Sequence, residues 1–138
     1  MPKFIGVQRD IFSIFASVGW NALGIKTVPR EFTNIELENE GNRVIRVSIL
    51  PNQKGVNKLS ISGMMIVEIM TLLTDGPTPI VETADALSDF FDNKSIETYT
   101  GVCTQFFSGT LGVSQKDSLN PRIGNTLYSI NFQYNTVE

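Results

Sequence analysis

The residues of this chain that offer the clearest chemistry are four carboxylates spaced three and four residues apart. They are Glu82, Asp85, Asp89 and Asp92. In a helix this spacing places all four on one face. Two carboxylates can cleave a glycoside only when they face each other across a cleft, whereas these would project from one exposed surface. The spacing therefore predicts either a solvated helix surface or an acidic surface that docks against basic groups.

Basic residues that could meet this acidic surface are concentrated in one predicted hairpin. Arg46 lies in its first strand, and Lys54 and Lys58 lie in or beside its loop. Arg43 is a weaker candidate because strand alternation places it on the same side as the apolar Ile45. In a ring of identical chains the contact is head-to-tail, so an acidic surface on one subunit can meet a basic surface on the next. We therefore interpret Arg46, Lys54, Lys58 and the four carboxylates as candidate subunit-interface residues.

The chain contains few of the residue types that enzymes use for catalysis. It contains no histidine, the commonest general base and metal ligand, and Cys103 is its only cysteine. A lone cysteine excludes an internal disulfide and a thiolate-rich zinc site, and its place in a predicted strand favours a buried small side chain. Gly109, Gly112 and Gly124 lack the spacing and the lysine of a phosphate-binding loop. The sequence predicts no enzymatic activity, no cofactor and no bound metal.

Length and composition indicate a single domain over residues 1–138. Hydrophobic residues make up 41% of the chain and charged residues 18%, which is typical of a sequence that forms a core. The net charge of −3 gives no basic excess to neutralise phosphates, so sequence-specific binding of nucleic acid is not expected. No apolar run reaches the roughly 18 residues of a membrane span, and the N-terminus does not resemble a secretory signal. We expect a protein that assembles in the cytoplasm without a membrane partner.

Hydrophobic periodicity predicts the elements that must position these residues. One helix is predicted over residues 8–20, and a second begins with Thr78 as its N-cap and Pro79 in the first helical position. Strands are predicted over residues 30–37, 43–50, 58–73, 95–107 and 128–134. Pro51 is expected to stop the second of these strands, and residues 108–125 to form a long loop. The order predicts an α+β fold, with a mostly antiparallel sheet of about four to five strands, two helices packed on one face and a long β-hairpin.

Several short motifs follow one another in a particular order along the chain. They are an N-terminal helix, a strand ending in Leu50-Pro51, a strand entered by Gly63, an alanine-containing helix ending in Phe90-Phe91, and a terminal aromatic strand. This order resembles the tail terminator (tail completion) proteins of long-tailed bacteriophages. Residues 71–75 depart from the aromatic-proline-glycine sequence expected after the central strand of that family.

The resemblance implies a structural virion protein. Such proteins form a ring, usually a homohexamer, that caps the tail tube, terminates its polymerisation and forms the head-tail joining surface. The implied partners are further copies of the chain, the tail tube protein and a head-completion or neck protein, and the implied location is the head-proximal end of the virion tail. Two alternatives stay open, another head-tail connector or neck subunit and a small intracellular ligand-binding α+β domain.

Overall fold

A computed structural model describes residues 3–29, 43–54, 61–99, 102–112, 115–116 and 123–136. Its helices are α1 (Lys3–Phe15), α2 (Val18–Asn21) and α3 (Thr78–Phe91). Its strands are β1 (Lys26–Pro29), β2 (Arg43–Lys54), β3 (Ile61–Leu72), β4 (Ser95–Tyr99), β5 (Val102–Phe106), β6 (Thr110–Leu111), β7 (Gln115–Lys116) and β8 (Ile123–Thr136). A short 3₁₀ turn, Leu73–Asp75, connects β3 to α3. The predicted α+β class is confirmed.

The described strands form an eight-stranded sheet that is larger than the sequence predicts. Its order is β1-β2-β3-β8-β5-β4, and the two-residue strands β6 and β7 also pair with β8. β1 runs parallel to β2, whereas the other pairs are antiparallel. β2 and β3 form the long predicted hairpin, and β3 pairs with β8 from Ile61 opposite Tyr134 to Leu72 opposite Ile123. The strand that comes last in sequence therefore lies in the middle of the sheet.

The single N-terminal helix predicted over residues 8–20 is two helices in the structure. The backbone of Ser17 is extended, with φ −70° and ψ 154°, and its hydroxyl accepts a hydrogen bond from the Trp20 N–H at 3.3 Å. This residue acts as an N-cap, so α1 ends before it and α2 starts after it. The break turns Trp20 into the core, where it is fully buried.

The strand boundaries also differ from the prediction. Pro51 does not stop β2, because a register shift between Leu50 and Gln53 accommodates it and pairing resumes up to Lys54. Residues 95–107 form two antiparallel strands, β4 and β5, rather than one. The predicted loop over residues 108–125 contains β6, β7 and the start of β8.

Two further predictions concern the first strand and the N-cap of α3. The strand predicted over residues 30–37 lies outside the described residues, and β1 precedes it in the chain. The N-cap of α3 is Pro77, and Thr78 is the first helical residue rather than the cap. No side-chain hydrogen bond caps this helix start, because proline has no side-chain acceptor to offer.

The core lies between the helices and one face of the sheet. α1 lies over β4, β5 and β8, and α3 lies over β3. Alternate residues of the strands, such as Val67 and Ile130, are buried against these helices. The Phe91 ring lies 5.1 Å from the Phe15 ring and 5.2 Å from the Phe106 ring, measured between centroids. This aromatic cluster fixes α3 on the sheet and so decides which face of α3 points outward.

Candidate functional site

The outer face of α3 carries three exposed carboxylates. The side chains of Glu82, Asp85 and Asp89 are exposed, while the opposite stripe of Ile80, Ala84, Leu87 and Phe91 is buried. The sequence predicted this division of the helix into a core face and an acidic face. We refer to Glu82, Asp85 and Asp89 as the acidic surface.

Asp92 was predicted to continue the acidic surface, but its side chain turns toward the sheet. It follows the last residue of α3, and one carboxylate oxygen accepts hydrogen bonds from the Gly109 N–H at 3.1 Å and from the Tyr128 hydroxyl. Its other oxygen accepts a hydrogen bond from the Ser88 hydroxyl at 2.9 Å. A carboxylate at a helix C-terminus is disfavoured by the helix dipole, and these three donors offset that cost. Asp92 therefore does not belong to the outward surface assigned to it from the sequence.

Arg46 forms an ion pair across the hairpin that the sequence analysis missed. Its Nη2 lies 2.7 and 2.8 Å from the two carboxylate oxygens of Glu68, and its Nε lies 3.1 Å from one of them. The two side chains are 21% and 19% exposed, and such partly exposed pairs contribute about 0–1 kcal/mol. The charge of Arg46 is thus shared with a residue of its own chain.

The acidic surface and Arg46 lie on opposite sides of the molecule. Arg46 stands between Ile45 and Val47, which are buried against the helices, so its side chain points to the other face of the sheet. α3 packs on the helix-covered face. Within one chain the structure therefore does not bring the predicted acidic and basic groups together.

Of the other basic residues considered from the sequence, Lys54 and Arg43 have a described position in the sheet and Lys58 does not. Lys54 is the last residue of β2, opposite Ile61, and Arg43 is the first, opposite Thr71. Lys58 lies outside the described residues. Their place in a subunit contact stays a prediction.

The helix α1 carries a buried carboxylate, Asp10. It is fully buried and accepts a hydrogen bond from the Thr104 hydroxyl at 2.6 Å, and its other oxygen lies 3.5 Å from the Arg9 guanidinium. Position 10 is three residues after Val7 and four before Ile14, which is core spacing in a helix. Asp10 anchors α1 to β5.

Cys103 is partly exposed, rather than buried as predicted. Burial raises the pKa of its thiol, and the negative charges of Glu97 and Asp10 raise it further. The thiol is therefore held in its protonated form, which is a poor nucleophile. Within the described ranges no three histidine, cysteine, aspartate or glutamate residues form a group that could hold a metal ion.

The same described ranges contain no helix that is long and apolar enough to cross a membrane.

Tyr128 is expected to make the stability of the fold sensitive to alkaline pH. Burial raises the pKa of Tyr128, and the hydrogen bond to Asp92 raises it further. A raised pKa in the folded state means that stability is intact below the ordinary tyrosine pKa of about 10 and is lost as pH rises toward the folded value. We expect the free energy of unfolding to fall by up to about 1.4 kcal/mol per pH unit above that point.

Urea unfolding followed by circular dichroism between about pH 9 and pH 11 measures this loss. Burial also raises the pKa of Tyr134, so Tyr128→Phe is the matched control that separates the two residues. The variant should show a flatter pH profile than the natural chain. Equal slopes for the two proteins would contradict the assignment to Tyr128.

Comparison with known proteins finds a similar fold but assigns this chain to no family. No family model and no curated protein sequence matches this chain. A solved structure that carries no functional name is similar, with a TM-score of 0.67, 11% sequence identity, and coverage of 96% of this chain and 96% of that one. At this identity the similarity shows a shared fold alone.

Proposed function

We propose that this protein is a ring-forming structural subunit of the tail terminator kind, which caps a phage tail tube, stops its polymerisation and presents a surface for head joining. The observation that carries the proposal is that the acidic surface and the arginine predicted to pair with it lie on opposite sides of one domain. The acidic surface is on the helix side, and the Arg46–Glu68 pair is on the other face of the sheet.

This placement suits head-to-tail assembly. In a closed ring each subunit contributes two different surfaces, one to each neighbour, whereas a two-fold dimer uses the same surface on both subunits. Surfaces on opposite sides of a domain can serve two neighbours at once. Of the elements behind the resemblance to tail terminator proteins, the N-terminal helix, the alanine-containing helix and the terminal aromatic strand are present as α1, α3 and β8, whereas β2 continues past Leu50-Pro51.

The Arg46–Glu68 ion pair changes which basic residues should contribute to a contact between subunits. A carboxylate from a neighbouring subunit would have to compete with Glu68 for Arg46, so Arg46 adds less to a contact than an unshared cation would. Lys54, the last residue of β2, and Lys58, which lies outside the described residues, are then the remaining basic candidates from the sequence for pairing with the acidic surface. Exposed charge pairs of this kind set register and association rate more than total affinity.

The direct test is assembly on tail tubes. Purified protein should form rings, or bind the ends of isolated tail tubes as rings, when examined by light scattering and negative-stain microscopy. The length of tubes polymerised in its presence should be limited. A strict monomer that binds no tube end would overturn the proposal, and catalytic turnover that survives repurification would favour the ligand-binding alternative.

Reversing two charges of the acidic surface should weaken assembly. We expect Asp85→Lys/Asp89→Lys to raise the concentration needed for half-assembly by up to about fivefold per residue, because each exposed pair contributes about 0–1 kcal/mol. The effect should be largest at low salt, where screening is weakest. Light scattering across a salt series measures it.

The matched control is Asp75→Lys/Glu97→Lys, which makes the same change in net charge at two exposed acidic residues outside α3. This control should assemble like the natural chain. If both variants assemble normally at every ionic strength, the acidic surface is merely solvated.

A further inference from the structure

Residues 107–112 run along one edge of β8, and we call this segment the strap. The Phe107 N–H donates a hydrogen bond to the Asn131 carbonyl at 3.0 Å, and the Gly112 N–H donates one to the Leu127 carbonyl at 2.7 Å. Between these two bonds, β6 pairs with β8. The strap therefore covers the edge of β8 from residue 127 to residue 131.

The side chains of the strap contribute little to the core. Phe107 is 43% exposed and Leu111 is 40% exposed, and residues 108, 110 and 112 are also exposed. In contrast, Phe106, the residue before the strap, is 1% exposed. Segments with little buried apolar area open locally at a smaller free-energy cost than global unfolding. Backbone hydrogen bonds, rather than packing, hold the strap in place.

The Asp92 side chain joins the strap to the rest of the fold. A single Asp92 oxygen accepts hydrogen bonds from both the Gly109 N–H and the Tyr128 hydroxyl, so it ties the strap and β8 to the end of α3. The strap passes so close to Tyr128 that a Cβ at position 109 would lie 2.1 Å from the tyrosine oxygen, which only glycine avoids. The Asn93 N–H adds a bond to the Phe107 carbonyl at 3.2 Å.

We propose that the strap opens from the edge of β8 as one unit while the rest of the sheet stays folded, with the Asp92 carboxylate as its latch. Hydrogen bonds to a charged acceptor are stronger than neutral ones, so the latch carries a disproportionate share of the strap's local stability. Opening uncovers the carbonyls of Leu127 and Asn131 at the edge of the central strand. This inference does not depend on the proposed ring.

Hydrogen exchange measured by NMR on the natural chain tests the first half of the proposal. The amides of Phe107, Gly109 and Gly112 should exchange faster than those of β3, and their rates should change little with low concentrations of urea because a small opening exposes little surface. The amides of β3 should show the steep urea dependence of global unfolding. If the strap amides follow that same dependence, the strap does not open separately and the proposal is wrong.

Removing the latch tests the second half. Asp92→Ala should accelerate exchange of the strap amides by roughly tenfold or more, while exchange in β3 is unchanged. Asp89→Ala, an exposed carboxylate one turn earlier in α3, is the matched control and should leave the strap unchanged. Tyr128→Phe keeps the ring and removes one donor, so it should give a smaller acceleration even if Asp92→Ala fails to fold. Unchanged strap exchange in Tyr128→Phe and in a folded Asp92→Ala, or equal acceleration of all amides, would overturn the role of Asp92.

Discussion

Replacing Phe91 with alanine is expected to reduce the free energy of unfolding by about 3–5 kcal/mol, the range for large aromatic-to-alanine changes in a core. Phe91 is fully buried and its ring contacts those of Phe15 and Phe106. It thus joins α1, α3 and β5 at one point. Truncation leaves a cavity that three separate elements would have to move to fill, so little relaxation is expected.

Urea unfolding followed by circular dichroism measures this loss. Val81→Ala is the matched control, because Val81 lies on the same helix and is 50% exposed. It should change the free energy of unfolding by less than about 0.5 kcal/mol, as surface substitutions usually do. A Phe91→Ala variant as stable as this control would mean that α3 is not packed on the sheet as described.

Gly6→Ala is expected to destabilise the fold by about 1–3 kcal/mol, although alanine is the better helix former by about 1 kcal/mol. A Cβ at position 6 would lie 2.1 Å from the Tyr134 hydroxyl oxygen and 2.4 Å from the ring carbon that bears it. Both residues are buried, so either α1 must lift from β8 or the tyrosine ring must leave its place. Either movement disturbs the packing between α1 and the sheet.

The partner substitution separates this clash from a general effect of alanine. In a Tyr134→Leu background the ring is absent, so Gly6→Ala should then cost much less than in the natural chain, and the two changes should be clearly non-additive. Gly19→Ala is the matched control, because the nearest atom to its added Cβ is a Phe90 ring carbon at 3.3 Å. Additive costs for Gly6→Ala and Tyr134→Leu would contradict the close contact between α1 and β8.

The helix α3 shows what periodicity can establish. Its buried stripe was predicted, and three of the four carboxylates predicted to point outward do so, because a period near 3.6 residues fixes which residues share a face. Periodicity does not describe the ends of a helix, where the chain turns and new donors come within reach. Asp92 sits at such an end, and its donors come from the strap and β8, far away in the sequence.

The contacts of Asp10 and Arg46 were also missed, because their partners lie far away in the sequence. The spacing of Asp10 in the helix places it on the core side. A buried carboxylate needs a hydrogen-bond partner, and the partner of Asp10 is Thr104, which lies 94 residues away in the sequence. Glu68 could have been found from the register of the hairpin, which places it opposite Arg46. Register depends on the length of the turn and on the bulge at Pro51, and alternation alone specifies neither. Periodicity and alternation do not pair residues that lie far apart in the chain, so these contacts between elements could not be predicted from them.

The position of β8 in the middle of the sheet has a consequence for how the protein is made. Synthesis produces β2, β3, β4 and β5 first, but β3 and β5 become neighbours only when β8 enters between them. The β2–β3 hairpin is local and can form early, whereas sheet closure must wait for a distant segment and is correspondingly slow. Until then one edge of β3, a strand of 12 residues rich in methionine and isoleucine, has no partner strand. The nascent chain therefore passes through a stage in which it is most prone to aggregate, and that stage ends when β8 leaves the ribosome.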